Sequence, residues 1–162
     1  MNLLQKILIS GILFAGIFAC GGGDILKPSS NEASLSLYAD NSEAKDPLLN
    51  KGVGPVKNVE LGDLNPEMAS EGEMIFNDKC LVCHKTTENF IGPSPIGIFE
   101  RRSPEWIMNM ILNPEQILDE DPIAKELLKQ FMAPMANQGL TEEEARKILE
   151  YFRTLPEDIK ET

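Results

Sequence analysis

The sequence predicts an all-α domain carried behind a flexible tether. Helix-start signals recur through its second half. Asn65-Pro66, Ser103-Pro104, Asn113-Pro114 and Asp121-Pro122 each set a capping side chain before a proline at the first helical position. No stretch alternates apolar and polar residues as a half-buried strand does. The chain is 42% hydrophobic but only 6% aromatic, so part of its core must be something other than bulky side chains.

Taken in order, residues 1–19 read as a signal peptide. Lys6 gives the positive start, and an apolar run from Ile7 to Ala19 follows, too short for a confident membrane span. Ile17-Phe18-Ala19-Cys20 resembles a bacterial lipobox, which implies cleavage before Cys20 and its lipidation. Residues 20–64 open on Gly21-Gly22-Gly23 and stay rich in Ser, Asn, Asp, Gly and Pro, with weak periodicity. They read as a lipidated flexible tether.

The folded domain is expected over residues 65–162. A first helix from Pro66 to about Lys79 sets Met68, Gly72, Ile75 and Phe76 on one face. Short helices follow at Glu105 to Leu112 and Ile123 to Phe131. Thr141 with Glu144 forms a capping box, and Asn113 with Gln116 has the same pattern. The last helix, Glu142 to about Thr154, aligns Ala145, Ile148, Leu149 and Phe152.

The chemistry sits between the first two helices. Cys80-Leu81-Val82-Cys83-His84 is C-x-x-C-H, the c-type haem attachment sequence. Two thiols with two residues between them reach the two vinyl groups on one porphyrin edge, and the adjacent histidine then supplies a ligand to the iron. Zinc needs four ligands, and His84 is the only histidine while Cys20 is the only other cysteine. A thiol–disulfide motif belongs in a βαβ setting that this pattern lacks. The three cysteines are thus accounted for: Cys20 by lipid, Cys80 and Cys83 by one covalent haem c.

Beyond that motif, residues 66–155 resemble a class I-type monohaem cytochrome c. Gly72 and Phe76 match a Gly-x-x-x-aromatic pattern, which implies a close crossing of the first and last helices against an aromatic such as Tyr151. Ile91-Gly92-Pro93 resembles the family's G-P loop, which implies that the Pro93 carbonyl holds His84. The stretch Gly97 to Arg102 resembles the segment carrying a haem-propionate arginine, Arg101 or else Arg102. Trp106 either resembles a residue that touches a propionate through its indole N–H or is simply packed at the helix start.

The resemblance implies a methionine as second axial ligand. Met135, ahead of the Thr141 capping box, fits better than Met132 three residues upstream. Met68, Met74, Met108 and Met110 fall at helical spacing and read as core. Glu115 to Ala133 is longer than in compact members of the family, either covering the haem edge or lengthening a loop.

The functional expectation is a one-electron carrier rather than an enzyme. Iron filled at both axial positions by His84 and Met135 has no free site for substrate. The competing expectation is a haem-based sensor or peroxidase-like enzyme with a labile sixth ligand; the absence of a second histidine weighs against a peroxidase. Net charge is −11, and loss of Lys6 with the signal leaves about −12. That excludes nucleic-acid binding as a function and disfavours an acidic partner. Expected partners are redox proteins, with a membrane engaged through the lipid. The expected location is a periplasmic or cell-surface membrane, and nothing in the pattern points beyond a monomer.

Overall fold

The computed structural model describes residues 46–157. The signal run and Cys20 lie outside the described residues, as does the N-terminal part of the expected tether. Among the described residues five α-helices follow in order: α1 Pro66–Lys79, α2 Pro104–Leu112, α3 Pro114–Glu120, α4 Pro122–Phe131 and α5 Glu142–Phe152. A single 3-10 turn, Ile98–Glu100, precedes α2. No strand occurs among the described residues.

Each helix begins at its expected signal. Asn65 Oδ1 accepts from the N–H groups of Glu67 and Met68 at 3.1 and 3.0 Å. Ser103 Oγ accepts from Trp106 N at 3.1 Å, and Asp121 Oδ1 from Ala124 N at 2.8 Å. Thr141 and Glu144 close a reciprocal capping box. Asn113 is the exception: it gives α3 no side-chain cap, and its Nδ2 donates instead to Gln116 Oε1 at 2.7 Å. The α3 helix itself was not among the helices expected from the pattern.

The principal packing is α1 against α5. Gly72 makes it possible, because a Cβ there would collide with the backbone carbonyl of Lys147. Phe76 then meets Tyr151 and Phe152, each at 5.6 Å between ring centroids. Tilted and edge-on pairs of this kind add to the stabilisation from apolar burial. Ala145, Ile148 and Leu149 are fully buried in the same core. Met108 is buried as expected, but Met74 is exposed and Met110 only half-buried.

Glu150 is buried at the crossing and has three partners. It accepts from Asn65 N at 2.8 Å, from Arg146 at 2.5 Å and from Arg153 at 2.7 Å. A carboxylate is tolerated in a core only when paired and hydrogen-bonded in this way.

Ahead of Asn65, within the stretch expected as tether, part of the backbone is engaged by the domain. Residues 50–59 pack on the domain as an extended strap across α2. Asn109, fully buried, holds its backbone on both edges. Asn109 Oδ1 accepts from Val56 N at 2.9 Å, and Nδ2 donates to Val56 O at 2.9 Å and Lys51 O at 2.8 Å. Glu105 accepts from Val59 N, and Asn50 Nδ2 donates to Asp121 Oδ2 at 2.6 Å. Gly52 has φ +69, and a Cβ there would lie 2.6 Å from Ile117. The strap shows little periodicity because polar side chains of the domain hold its backbone, and of its own hydrophobic side chains Val56 is the one buried in the core.

Candidate functional site

The helices enclose a cavity of about 280 Å³, lined mainly by apolar side chains. The end of α1 supplies Phe76, Lys79 and Cys80. The α2 helix supplies Trp106, Ile107, Met110 and Ile111. From α4 come Leu127, Leu128 and Phe131, so the segment between Glu115 and Ala133 covers this cavity instead of forming a surface loop.

Cys80, Cys83 and His84 all line the cavity. The local backbone explains how. After Lys79 the chain makes one more turn, with Cys83 N and His84 N both donating to Cys80 O at 3.0 and 2.9 Å. Positions i, i+3 and i+4 of a turn lie on one side. Gly92 N donates to Cys83 O at 3.0 Å and brings the Gly92-Pro93 loop back onto this turn.

That loop fixes the imidazole. His84 Nδ1 lies 2.8 Å from Pro93 O, which makes Nδ1 the N–H donor and leaves Nε2 as the lone-pair nitrogen. Gly92 lies flat against the ring, and a Cβ at that position would approach His84 Cε1 to 2.5 Å. Sequence reading assigned the loop through Pro93; the requirement for glycine at 92 comes from this contact.

The two candidate methionines separate clearly. Met135 is half-buried and lines the cavity. Met132 caps α4 at φ 55 and is 86% exposed.

The two arginines differ as well. Both line the cavity, but Arg101 donates Nη1 to Ile96 O at 2.8 Å and Nη2 to Ser94 O at 3.1 Å, bracing the loop before the 3-10 turn. Arg102 stacks over the Trp106 ring at 5.0 Å, and its Nε is buried with no hydrogen-bond partner. Burial, with Arg101 next to it, pushes the Arg102 guanidinium below its ordinary pKa, partly offset by Asp121. Trp106 was expected to offer its N–H to a propionate. Instead that N–H donates to Asp121 Oδ1 at 3.2 Å, and the ring serves as cavity wall.

The Cys80 thiol is pushed up to about 11, by burial first and by Cys83 second. A nucleophilic thiol of a disulfide-exchanging enzyme has a lowered value, so Cys80 lacks the property that such a nucleophile needs. Among the described residues no group of three Cys, His, Asp or Glu side chains gathers as a metal-holding cluster.

These residues fit a haem. The wall is apolar, the two thiols share one side, and His84 has a lone-pair nitrogen without a protein partner. Among the described residues no Asp or Glu lines the cavity, whereas Lys79, Arg101 and Arg102 do. The unpartnered Nε of Arg102 suits a cofactor carboxylate.

The comparisons with known proteins agree with this geometry. The cytochrome c family model matches residues 69–156. A cytochrome c from Rhodothermus marinus is 42% identical, with a TM-score of 0.62 over 63% of this chain and 89% of that one. An engineered form, Rma TDE, is 40% identical over 65% of this chain and 92% of that one, with a TM-score of 0.62. The same engineered protein bound to a carbene intermediate is 42% identical over the same shares, with a TM-score of 0.60. No curated protein is significantly similar to the chain.

Proposed function

The chain belongs to the cytochrome c family, and on that premise we propose that it is a membrane-tethered one-electron carrier. Lipid on Cys20 holds it at the outer face of a bacterial membrane. There it passes electrons from a respiratory donor to a periplasmic or surface oxidoreductase. Family membership carries covalent haem c and electron transfer; the anchor, the location and the direction of flow are this reading's additions.

The observation that carries the proposal is that His84 and Met135 line one cavity while Met132 faces outward. Haem bonded to Cys80 and Cys83 supplies an iron that changes oxidation state by one electron. His84, oriented by Pro93 and Gly92, and Met135 would hold the iron of a bound haem. With both side chains engaged, that iron would offer no place for a substrate. A thioether ligand and an apolar wall both favour the reduced state. Leu127, Leu128 and Phe131 exclude water from the cavity. The unpartnered Nε of Arg102 supports giving it, in preference to Arg101, the role of balancing a cofactor carboxylate.

The lipid anchor rests on the sequence pattern at Ile17 to Cys20. Several acyl chains, at about 0.8 kcal/mol per buried CH₂, give stable attachment. Among the described residues no helix is long and apolar enough to cross a membrane.

The test is a redox titration of the haem-loaded protein with and without carbon monoxide. A carrier gives one reversible one-electron transition and a reduced spectrum that carbon monoxide leaves unchanged. Prompt carbon monoxide binding, or turnover of peroxide, moves the assignment to the sensor or enzyme. For the anchor, Cys20→Ser shifts the protein from the membrane to the soluble fraction.

A further inference from the structure

Among the described residues three carboxylates are buried: Glu105, Asp121 and Glu150. Two of them have cations. Glu105 pairs with Lys51 at 3.3 Å, and Glu150 with both Arg146 and Arg153. Asp121, 3% exposed, takes its side-chain hydrogen bonds from neutral donors alone. Its Oδ1 accepts from Ala124 N at 2.8 Å and from Trp106 Nε1 at 3.2 Å, and its Oδ2 from Asn50 Nδ2 at 2.6 Å.

None of these bonds requires a charge. Asn and Ser cap a helix about as well as Asp, and neither brings the cost of burying an anion. The indole and amide donors would be satisfied by any neutral oxygen. The charge of Asp121 therefore acts on something beyond its own hydrogen bonds.

That something is Arg102. Asp121 pulls the Arg102 pKa up, against burial and against Arg101. Trp106 joins the two. Asp121 grips the ring at its N–H edge, while the Arg102 guanidinium lies over the ring, 5.0 Å from the centroid. An N–H drawn toward an anion leaves the ring richer in electrons, which strengthens its hold on a cation. Trp106 and Arg102 line the cavity, and Asp121 does not. A bound haem therefore meets the cation directly and the anion through one aromatic ring.

We propose that Asp121 is the counter-charge of this wall, a positioning residue that fixes Trp106 and lowers the potential that Arg102 alone would give the cofactor. A cation beside haem favours reduced iron and an anion favours oxidised iron, so the two residues act in opposite senses. The inference needs the haem that family membership carries, and it stands whether or not the iron serves a carrier.

Redox titration and denaturant unfolding of the haem-loaded protein and four variants test this. Asp121→Asn keeps a cap and an oxygen for the indole N–H while removing the charge. Its midpoint potential is expected to rise. The reduction equilibrium moves about tenfold toward reduced iron, as for a unit charge roughly 10 Å away at an effective dielectric of about 20. Asp121→Ser, a smaller neutral cap, moves the same way and keeps the test open if the new amide disturbs folding. Adding Arg102→Leu to Asp121→Asn brings the potential back toward the wild-type value. Asn50→Ala removes a donor to Asp121 and leaves its charge, so it loses stability with the potential in place. An unchanged potential in both neutral variants makes Asp121 a helix cap only and overturns the proposal. A lowered potential overturns it too, because Arg102 has then lost its place and not its counter-charge. A rise in Asn50→Ala equal to that in Asp121→Asn overturns it in favour of a loosened strap.

Discussion

Asn109 clasps the backbone of Val56 on both edges, accepting from its N–H and donating to its carbonyl, each at 2.9 Å. One side chain on α2 thus does for the strap what a neighbouring strand does in a sheet. The pair joins the segment that leads from Cys20 to the helix that walls the cavity.

Replacing Asn109 by Leu keeps the shape and removes three hydrogen bonds. It strands the Val56 N–H and two carbonyls in a poorly hydrated site. The expected cost is about 2–4 kcal/mol in denaturant unfolding. Hydrogen exchange at Val56 rises to the rate of an unfolded amide while α1 and α5 stay protected. Unchanged exchange at Val56 contradicts the clasp.

Gly72→Ala tests the crossing of α1 and α5. In a solvent-exposed helix this change is stabilising by about 1 kcal/mol. Here the added methyl meets the Lys147 carbonyl, so the sign reverses. Destabilisation of about 3 kcal/mol or more is expected by thermal or denaturant unfolding. A stabilised variant shows that the helices do not cross here.

Glu150 sets an acid limit. Burial pushes its pKa up, but the Asn65 N–H, Arg146 and Arg153 outweigh that and hold it below the ordinary glutamate value. The folded pKa therefore lies below the unfolded one, about 4.3. Below that value the unfolded chain binds the proton more readily, so stability falls with falling pH. Above it the contribution is fully present and flat. Melting temperature against pH drops below about pH 4.5 for wild type, and Glu150→Gln shows a smaller drop from a lower neutral-pH value. Parallel curves for the two proteins contradict this assignment.

The arginines give opposite expectations. Arg102→Leu removes a half-buried cation from the cavity wall, which stabilises oxidised iron and lowers the midpoint potential by tens of millivolts. Arg101→Leu strands the Ile96 and Ser94 carbonyls, so it loses stability with a smaller change in potential. The reverse pattern in a redox titration moves the carboxylate contact to Arg101.

Local chemistry was legible in the sequence. Asn65, Ser103, Asp121 and Thr141 announce their helices because a cap involves only the next two or three residues. The run of Cys80, Cys83 and His84 is equally local, and the last helix shows its buried face at regular spacing. What stayed hidden depends on residues far apart in the chain. Nothing between Asn50 and Val59 signals packing, because the partners are Glu105, Asn109 and Asp121. The available hint was a polar Asn109 inside the apolar run from Trp106 to Leu112. The partner of the Trp106 N–H was hidden for the same reason, since Asp121 lies fifteen residues away. Arg101 and Arg102 are adjacent, and only the fold shows which of them has its donors already engaged.

The central claim, that His84 and Met135 occupy both axial positions, is tested most directly by the optical spectrum of the oxidised haem-loaded protein. Wild type, Met135→Ala and Met132→Ala are compared. A thioether bonded to ferric iron gives a weak charge-transfer band in the red. The account predicts that band in wild type and in Met132→Ala, and its loss with a large fall in midpoint potential in Met135→Ala. A band that survives Met135→Ala and disappears in Met132→Ala, or a high-spin wild type with no band, contradicts it.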